Sequence, residues 1–255
     1  MSLMQQKDIK KYDLTCIEIC VSGSAPFPTE ALRRWVSMTH ASITEGFGLT
    51  EASPCVTANP LDGPQKEGSI GVAFPHTEIR IVDINDSNHV LGPNEEGEML
   101  VRGPQVMQGY WNRPEETAAT LTDGWLHTGD LALMDAEGNV TIKGRSKNML
   151  LGPSGQNIYP EEIEDKLNNL PYVSESIIVQ QNEKLVGLVY PDFDDAFAHG
   201  LNNDDIERVM EENRVALNAE LPAYSQISKM KIYPEEFEKT PKKSIKRYLY
   251  QEAKG

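Results

Sequence analysis

The sequence Gly46-Phe47-Gly48-Leu49-Thr50-Glu51 places an aromatic ring between glycines and follows it with a hydroxyl and a carboxylate. Because glycine has no Cβ, a ligand can approach the flat face of the ring closely. Thr50 supplies a hydrogen-bonding hydroxyl, and Glu51 supplies a hard oxygen ligand of the kind that Mg2+ binds. The set therefore suits a nucleotide held with magnesium. Taken alone, these residues are equally typical of a glycine-bounded turn closed by Thr50 and Glu51.

A second stretch, Gly124-Trp125-Leu126-His127-Thr128-Gly129-Asp130, places a carboxylate directly after a glycine turn. A carboxylate accepts several hydrogen bonds at once, which is what the vicinal hydroxyls of a ribose require. Arg145, in Gly144-Arg145-Ser146-Lys147, offers a further donor, although it is also typical of an exposed arginine at a strand end. We interpret Trp125 and His127 as residues that frame the loop rather than react.

The two stretches together resemble the signatures of adenylate-forming enzymes, in particular bacterial long-chain fatty-acyl-CoA synthetases. The resemblance extends from about residue 21 to residue 247, and it includes residues 103–114, whose role we interpret as structural. Enzymes of this family activate a carboxylate with ATP and pass the acyl group from AMP to coenzyme A. The resemblance therefore implies a ligase that uses ATP/AMP, Mg2+ and coenzyme A, with a fatty acid or another carboxylate as substrate.

For the nucleotide, the resemblance implies roles residue by residue. In the first stretch, Phe47, between Gly46 and Gly48, stacks on adenine. Thr50 bonds the α-phosphate, and Glu51 holds Mg2+.

Further binding roles follow from the same resemblance. Asp130 and Arg145 bind the ribose hydroxyls. The turn Gly23-Ser24-Ala25-Pro26 follows a predicted strand and matches the adenine-binding loop of the family.

The remaining implied roles belong to the second half of the chain. Lys147 falls at the hinge about which the small domain turns, and hinges absorb backbone changes at a few linker positions. Gly155, Gln156 and Asn157 resemble the loop that lines the pantetheine tunnel, where Gly155 keeps the tunnel open because no Cβ intrudes.

The tail departs from the family pattern. Aligning Lys239-Thr240-Pro241 places Ser244 where the family has the lysine that contacts the carboxylate and the α-phosphate. If the tail is extended, Lys242 and Lys246 share a face with position 244 and become the candidates to replace that lysine. If the tail is irregular there, Lys243 is a candidate as well, because it is adjacent to position 244. A solvated basic surface is the alternative for all of these lysines.

The Ser/Thr/Gly-rich loop that holds ATP phosphates in the family is not found in these 255 residues. We therefore expect the carboxy-terminal part of a ligase, catalytically inactive by itself, with residues 1–146 as the end of the large adenylation domain and 147–255 as a small mobile lid. A rival of the same class is an adenylating enzyme that loads a carrier protein or oxidises the adenylate. A rival of another class is a non-catalytic AMP-binding or interaction module, which the absent loop and Ser244 favour.

The hydrophobic pattern predicts an α/β and α+β fold. In the first domain, a β-loop-α unit precedes a small β-rich subdomain, with strands at 14–22, 78–83, 97–102 and 139–143 and a helix from about Thr29. In the second, the predicted elements are a helix at 161–170 started by Pro160, a hairpin of 176–181 and 184–190, a helix at 204–221 capped by Asn203, and a strand at 229–233.

The composition argues against several classes of function. Lys and Arg total 24 against 39 Asp and Glu, which gives a formal net charge of -15. This charge repels phosphate backbones, so nucleic acid is not an expected partner. No run approaches the ~18 apolar residues of a membrane span, so only peripheral membrane contact of the parent enzyme stays open. Cys16, Cys20 and Cys55 show no metal-ligand spacing, and we expect reduced, buried thiols in a cytoplasmic protein.

Overall fold

In the computed structural model of the protein, the described residues are 8–23, 29–153, 155–240 and 244–251. The chain forms two compact units that divide between Ser146 and Lys147. The expected mixture of α/β and α+β structure is confirmed, with parallel and antiparallel strand pairs. Within the described residues, no helix is both long enough and apolar enough to cross a bilayer.

The first unit is built mainly of strands. Its helices are α1 Thr29–Thr39 and α2 Pro114–Thr120. Its strands are β1 Cys20–Ser22, β2 Ile43–Gly48, β3 Cys55–Ala58, β4 Val72–Ala73, β5 Glu78–Val82, β6 Gly97–Arg102, β7 Leu121–Thr122, β8 Trp125–Met134 and β9 Val140–Arg145. They form a four-stranded sheet in the order β1-β2-β3-β4 and a five-stranded sheet in the order β5-β6-β8-β7, with β9 beside β8.

The core of the first unit draws on both sheets. Val56 of β3, Met99 of β6 and Leu126 of β8 are completely buried in one cluster. Their burial follows from the period of two along a strand, which directs alternate side chains to one face. The five-stranded sheet confirms the predicted β-rich subdomain, and its β6 has the predicted bounds, Gly97–Arg102.

The predicted buried strand at residues 14–22 is wrong in length and in burial. Only β1, Cys20–Ser22, is extended, and the Val21 side chain is 72% exposed. Among the described residues β1 pairs with β2 alone, so it is an edge strand, and an apolar run does not reveal how many neighbours a strand has. The expectation of buried thiols also fails, because Cys16 and Cys55 are free but exposed.

The second unit has a sheet covered by helices. Its helices are α3 Pro160–Asn168, α4 Phe193–Ala198 and α5 Asn203–Glu220. Its strands are β10 Leu150–Leu151, β11 Asn157–Ile158, β12 Val173–Gln181, β13 Lys184–Pro191 and β14 Ile227–Ile232. The order β12-β13-β14 combines an antiparallel pair with a parallel pair. The helix α5 lies in the connection between the parallel strands, and its Ile206, Met210 and Leu217 are buried.

The hairpin of β12 and β13 confirms the predicted turn. Asn182 and Glu183 both have positive φ, 48° and 62°. A two-residue loop with both residues in the left-handed region matches the twist of the strands it joins.

The cap of α5 lies one residue before the predicted one. Asn202, not Asn203, accepts from the backbone N–H of Asp205, and the Asp205 side chain accepts from the Asn202 backbone N–H. This reciprocal box needs an acidic residue three positions after the cap, and Asp205 satisfies that spacing only for Asn202.

Candidate functional site

Strand β8 carries a bulge within the stretch from Gly124 to Asp130. The register between β6 and β8 shifts between Glu98 and Leu100, so that Met99 alone lies opposite residues 128–130. Gly129 has a φ of +68° there, a conformation that glycine adopts without strain. Bulges of this kind direct a side chain away from the regular pleat. Here the redirected residue is Asp130.

Side chains replace the ladder hydrogen bonds that the bulge interrupts. The Thr128 hydroxyl donates to the Met99 carbonyl at 2.7 Å and accepts from the Asp130 N–H at 3.1 Å. From β6, Glu98 accepts from the Gly129 N–H at 3.1 Å. The bulge is therefore held from two sides and has a defined shape.

Asp130 and Arg145 lie together, as the sequence-based site requires. They are cross-strand partners on β8 and β9, and Arg145 Nε is 3.1 Å from Asp130 Oδ1. The same guanidinium donates to the Thr128 carbonyl at 2.9 Å. The Asp130 side chain is 10% exposed and that of Arg145 is 49% exposed. The pair presents a carboxylate and donors at one point of the sheet.

Trp125 and His127 are held in the frame of this loop. The guanidinium groups of Arg80 and Arg102 contact the buried Trp125 ring, 4.3 Å and 4.5 Å from its centroid. Cation–π contacts of this kind fix the ring in the sheet. His127 Nδ1 lies 3.1 Å from Glu98 Oε2.

The first stretch forms the end of β2 and the turn after it. Phe47 is opposite Thr57 on β3 and packs, partly buried, against the core of the unit. A Cβ at Gly48 would lie 2.2 Å from the Pro54 carbonyl oxygen. The protein's own backbone therefore requires Gly48, in addition to any demand made by a ligand. Gly46 lies in the same strand, opposite Ala58.

Thr50 and Glu51 begin a 3-10 turn, Thr50–Ala52. Thr50 is exposed and Glu51 is half-buried. Glu51 Oε1 accepts a hydrogen bond of 2.8 Å from the Tyr110 hydroxyl. Burial, and next the bond to Glu51, raise the pKa of Tyr110, so the phenol stays a donor. Sequence reasoning missed Tyr110, although it lies in the stretch 103–114 that was interpreted as structural.

The residues present fit a magnesium ion that is bound mainly by a ligand. The described residues contain no group of three or more His, Cys, Asp or Glu side chains that could hold a metal alone. Mg2+ keeps several waters and commonly binds through one or two carboxylates plus substrate phosphates. Glu51, oriented by Tyr110, is a carboxylate of that kind.

In the second unit, the predicted hinge and tunnel residues lie on exposed turns. Lys147 is exposed in the 3-10 turn Ser146–Asn148. Gly155 has a φ of +81°, and a Cβ there would have no neighbour within 4 Å among the described residues. Gln156 and Asn157 are also exposed, and the Gln156 carbonyl accepts from the Gly152 N–H at 2.8 Å. This turn joins β10 to β11.

The tail residues directly before and directly after 241–243 pair with each other. Lys239 and Ile245 form an antiparallel bridge, and the Thr240 N–H donates to the Ser244 carbonyl at 2.8 Å. Position 242 lies outside the described residues, so the shared face of positions 242, 244 and 246 stays a prediction. Lys246 Nζ is 3.0 Å from Glu238 Oε2, and this bond raises the pKa of Lys246.

Arg247 anchors the tail to the rest of the second unit. Its guanidinium donates to both carboxylate oxygens of Glu164, at 2.8 Å and 2.7 Å, and to the Ile178 carbonyl at 3.0 Å. Burial raises the pKa of the Glu164 carboxyl, and the guanidinium opposes this shift. The partner Glu164 was not predicted, because it lies 83 positions away in the sequence.

Several predicted site residues lie outside the described residues, namely Ser24, Ala25, Pro26 and Lys242. Gly23 is described and follows the end of β1, where it is exposed.

Comparison with known proteins agrees with the fold and with the motifs. The family model for the AMP-binding enzyme matches residues 1–111, and the model for the AMP-binding enzyme C-terminal domain matches residues 148–253. The chain belongs to the AMP-binding enzymes. Asp130 and Arg145 lie between the two matched segments.

One curated relative shows how much of a longer protein the chain matches. The chain is 43% identical to the long-chain-fatty-acid–CoA ligase of Bacillus subtilis (strain 168) over 178 residues, which cover 70% of this chain and 31% of that relative. The chain thus spans less than a third of the length of this relative.

Two solved structures have the same fold. The crystal structure of the anthranilate CoA ligase AuaEII in complex with anthranoyl-AMP matches with a TM-score of 0.82 at 25% identity, covering 98% of this chain and 46% of that one. ATP-bound MatB from Rhodopseudomonas palustris matches with a TM-score of 0.73 at 28% identity, covering 90% and 44%.

Proposed function

We propose that this chain is part of an AMP-forming carboxylate–CoA ligase that acts on long-chain fatty acids. The observation that carries the proposal is the Asp130–Arg145 pair on the clamped bulge, in a chain 43% identical to a long-chain-fatty-acid–CoA ligase. In this proposal residues 1–146 end the large adenylation domain, and residues 147–255 form a mobile lid. In this proposal the protein acts in the cytoplasm, and any membrane contact of the parent enzyme through this part of the chain is peripheral.

The nucleotide is bound by groups of the first unit. The Asp130 carboxylate accepts from both ribose hydroxyls while Arg145 adds a donor. Phe47 contributes the exposed part of its ring to the adenine, and Thr50 donates to the α-phosphate. When Mg2+ is bound it neutralises phosphate charge, and Glu51 is its protein ligand. Binding and orientation of this kind lower the activation barrier for attack of the carboxylate on the α-phosphate, because the charged reactants are held together in a fixed geometry.

The lid contributes to both half-reactions. Lys147 is the hinge, and its exposed position in a short turn suits a large backbone change. Gly155, Gln156 and Asn157 line the passage for the pantetheine of coenzyme A. For adenylation, a tail lysine supplies the cation that Ser244 lacks, with Lys246 and Lys242 as the candidates.

Isothermal titration calorimetry of AMP with the 255-residue chain tests the nucleotide site. Asp130→Ala is expected to weaken AMP binding at least about tenfold, because charge-assisted hydrogen bonds contribute ~1.5–3 kcal/mol each and ~1.4 kcal/mol is a tenfold change in affinity. Asp62→Ala, at an exposed bend of the first unit, is the matched control and should bind as the wild type does. Equal affinities for wild type and Asp130→Ala would remove Asp130 from the site.

Tyr110 provides a separate test of the magnesium role. Tyr110→Phe removes the hydrogen bond that orients Glu51 and should raise the Mg2+ concentration needed for half-maximal ATP binding about three- to tenfold, as expected for one net hydrogen bond. AMP affinity measured without Mg2+ should not change.

The reaction itself is tested on the longest natural polypeptide that contains this chain. ATP–pyrophosphate exchange with fatty acids of graded length should proceed, whereas the 255-residue chain alone should form no acyl-CoA. AMP binding without any exchange would favour the second candidate, a non-catalytic AMP-binding module, which the serine at position 244 supports. Exchange without transfer to free coenzyme A would indicate an enzyme that loads a carrier protein.

A further inference from the structure

We propose that Glu98 is a positioning residue that holds the bulge of β8 so that Asp130 faces a ribose. The inference rests on the proposed function, since it assumes that the Asp130 carboxylate receives the ribose hydroxyls. Glu98 itself touches no nucleotide in this proposal. It acts through the backbone of Gly129.

Glu98 occupies both of its carboxylate oxygens within the bulge. Oε1 accepts from the Gly129 N–H at 3.1 Å, and Oε2 lies 3.1 Å from Nδ1 of His127. The Glu98 side chain is 19% exposed and that of His127 is 21% exposed. A carboxylate partner places the proton on Nδ1, so Glu98 joins two donors that lie on either side of Thr128. The carboxylate therefore spans the bulge.

The bulge needs such a clamp because β6 offers too few backbone partners there. Only Met99 lies opposite residues 128–130, and its carbonyl is taken by the Thr128 hydroxyl. Without Glu98, the Gly129 N–H would lose its acceptor in a half-buried position, which is costly. Gly129 is also the residue whose backbone can rearrange most easily. Loss of Glu98 would thus leave the Thr128–Gly129 peptide held only at its carbonyl, by Arg145.

The contacts on the other side of the bulge complement this clamp. Arg145 holds the Thr128 carbonyl and the Asp130 carboxylate, and Thr128 holds the Asp130 N–H. The Thr128 carbonyl and the Gly129 N–H belong to one planar peptide unit, so Arg145 holds one end of that unit and Glu98 holds the other. The orientation of the Thr128–Gly129 peptide therefore depends on both residues, and the direction of the Asp130 side chain depends on that peptide.

The test compares AMP with 2′,3′-dideoxyadenosine monophosphate, which lacks both ribose hydroxyls. Calorimetry on the 255-residue chain gives the ratio of the two affinities for the wild type, Glu98→Ala and Glu98→Gln. We expect Glu98→Ala to lower AMP affinity about three- to tenfold, the effect of one lost hydrogen bond, and to leave the dideoxy nucleotide unchanged. Glu98→Gln keeps an oxygen for Gly129 and should retain most of the ratio.

Two controls separate positioning from general destabilisation. Glu78→Gln disturbs the ion pair with Arg102 on the same sheet, away from the bulge, and should keep the wild-type ratio. In an Asp130→Ala background, Glu98→Ala should have no further effect on AMP affinity, because residues that act as a unit are not additive. Thermal unfolding establishes that each variant is folded at the temperature of the titration.

A readout without nucleotide addresses the clamp directly. Exchange of the Gly129 amide hydrogen should be about three- to tenfold faster in Glu98→Ala than in the wild type, because its hydrogen bond is lost. Unchanged exchange in Glu98→Ala would overturn the inference. So would an equal loss of affinity for both nucleotides, or a wild-type affinity ratio in Glu98→Ala. A wild-type chain that does not distinguish the two nucleotides would instead defeat the proposed function, and with it the ribose role of Glu98.

Discussion

The bulge of the first unit and the tail of the second unit hold their charged groups in different ways. In the bulge, Asp130 lies on β8, which has β6 on one side and β9 on the other. Glu98 of β6 and Arg145 of β9 hydrogen-bond the backbone around it, and so does Thr128 of β8 itself. In the tail, Arg247 is buried against Glu164, whereas the adjacent Lys246 pairs with Glu238 at the surface. The bulge is thus held by side chains from both neighbouring strands, and the tail has one buried anchor beside a surface ion pair.

The largest expected effect breaks that anchor. Arg247→Ala leaves the buried Glu164 carboxylate without its partner and should destabilise the second unit by about 3–5 kcal/mol. Chemical denaturation followed by circular dichroism measures the loss. Arg208→Ala removes an exposed ion pair with Asp205 and, as the control, should cost at most about 1 kcal/mol. Similar losses in the two variants would mean that the tail is not anchored by this pair.

Substitutions of the tail lysines test whether one of these cations serves adenylation. Lys246→Ala in the complete enzyme should lower pyrophosphate exchange by about a hundredfold if it supplies the missing charge, the effect of removing one preorganised electrostatic contact. Lys242→Ala and Lys243→Ala complete the series. Glu238→Gln, which frees Lys246, should not lower the rate. Small effects in all three lysine variants would mean that the charge comes from elsewhere. Ser244→Lys should raise the rate only if the adenylation site lacks nothing but the lysine at this position.

Gly155 tests the lid in the second half-reaction. Gly155→Leu should leave adenylation nearly intact and slow thioester formation at least about tenfold, or ~1.4 kcal/mol in the barrier. The positive φ adds strain to any such substitution, about 1–2 kcal/mol for an ordinary residue. Gly155→Asn is therefore the matched control, since asparagine tolerates this conformation. Equal losses of rate in both half-reactions, or in both variants, would mean that Gly155 is required only for the positive φ of the turn.

The smallest effect concerns the hairpin that follows the bulge. Asp135, between β8 and β9, accepts from Lys66 and from Asn139, and these hydrogen bonds, Lys66 first, hold its pKa well below the usual range. A lowered folded-state pKa contributes stability above the unfolded value of ~3.9, and this is lost as pH falls toward the folded value. The difference in melting temperature between the wild type and Asp135→Asn should thus shrink below about pH 4. A constant difference across pH would contradict this assignment.

Local signals in the sequence predicted much of the fold. The turn at Asn182 and Glu183 and the strand β6 follow from patterns within a few residues, and both have the predicted bounds. The family motifs indicated Asp130 and Arg145, which the structure brings together.

The contacts that position these residues could not be predicted in the same way. Tyr110 and Glu51 are 59 positions apart, and Arg247 and Glu164 are 83 positions apart. The bulge depends on the register between β6 and β8, which no single strand encodes. The edge position of β1 likewise depends on its neighbours, so an apolar run was mistaken for a buried strand.

The packing of Trp125 against two guanidinium groups bears on how the unfolding of this protein can be followed by fluorescence. All three tryptophans, Trp35, Trp111 and Trp125, belong to the first unit. Indole emission therefore reports only on the first unit, and the guanidinium-flanked Trp125 should change its emission when the five-stranded sheet opens. The second unit contains tyrosines but no tryptophan, so its unfolding is silent in that channel. Recording indole emission beside far-ultraviolet circular dichroism would separate the melting of the two halves in a single unlabelled sample.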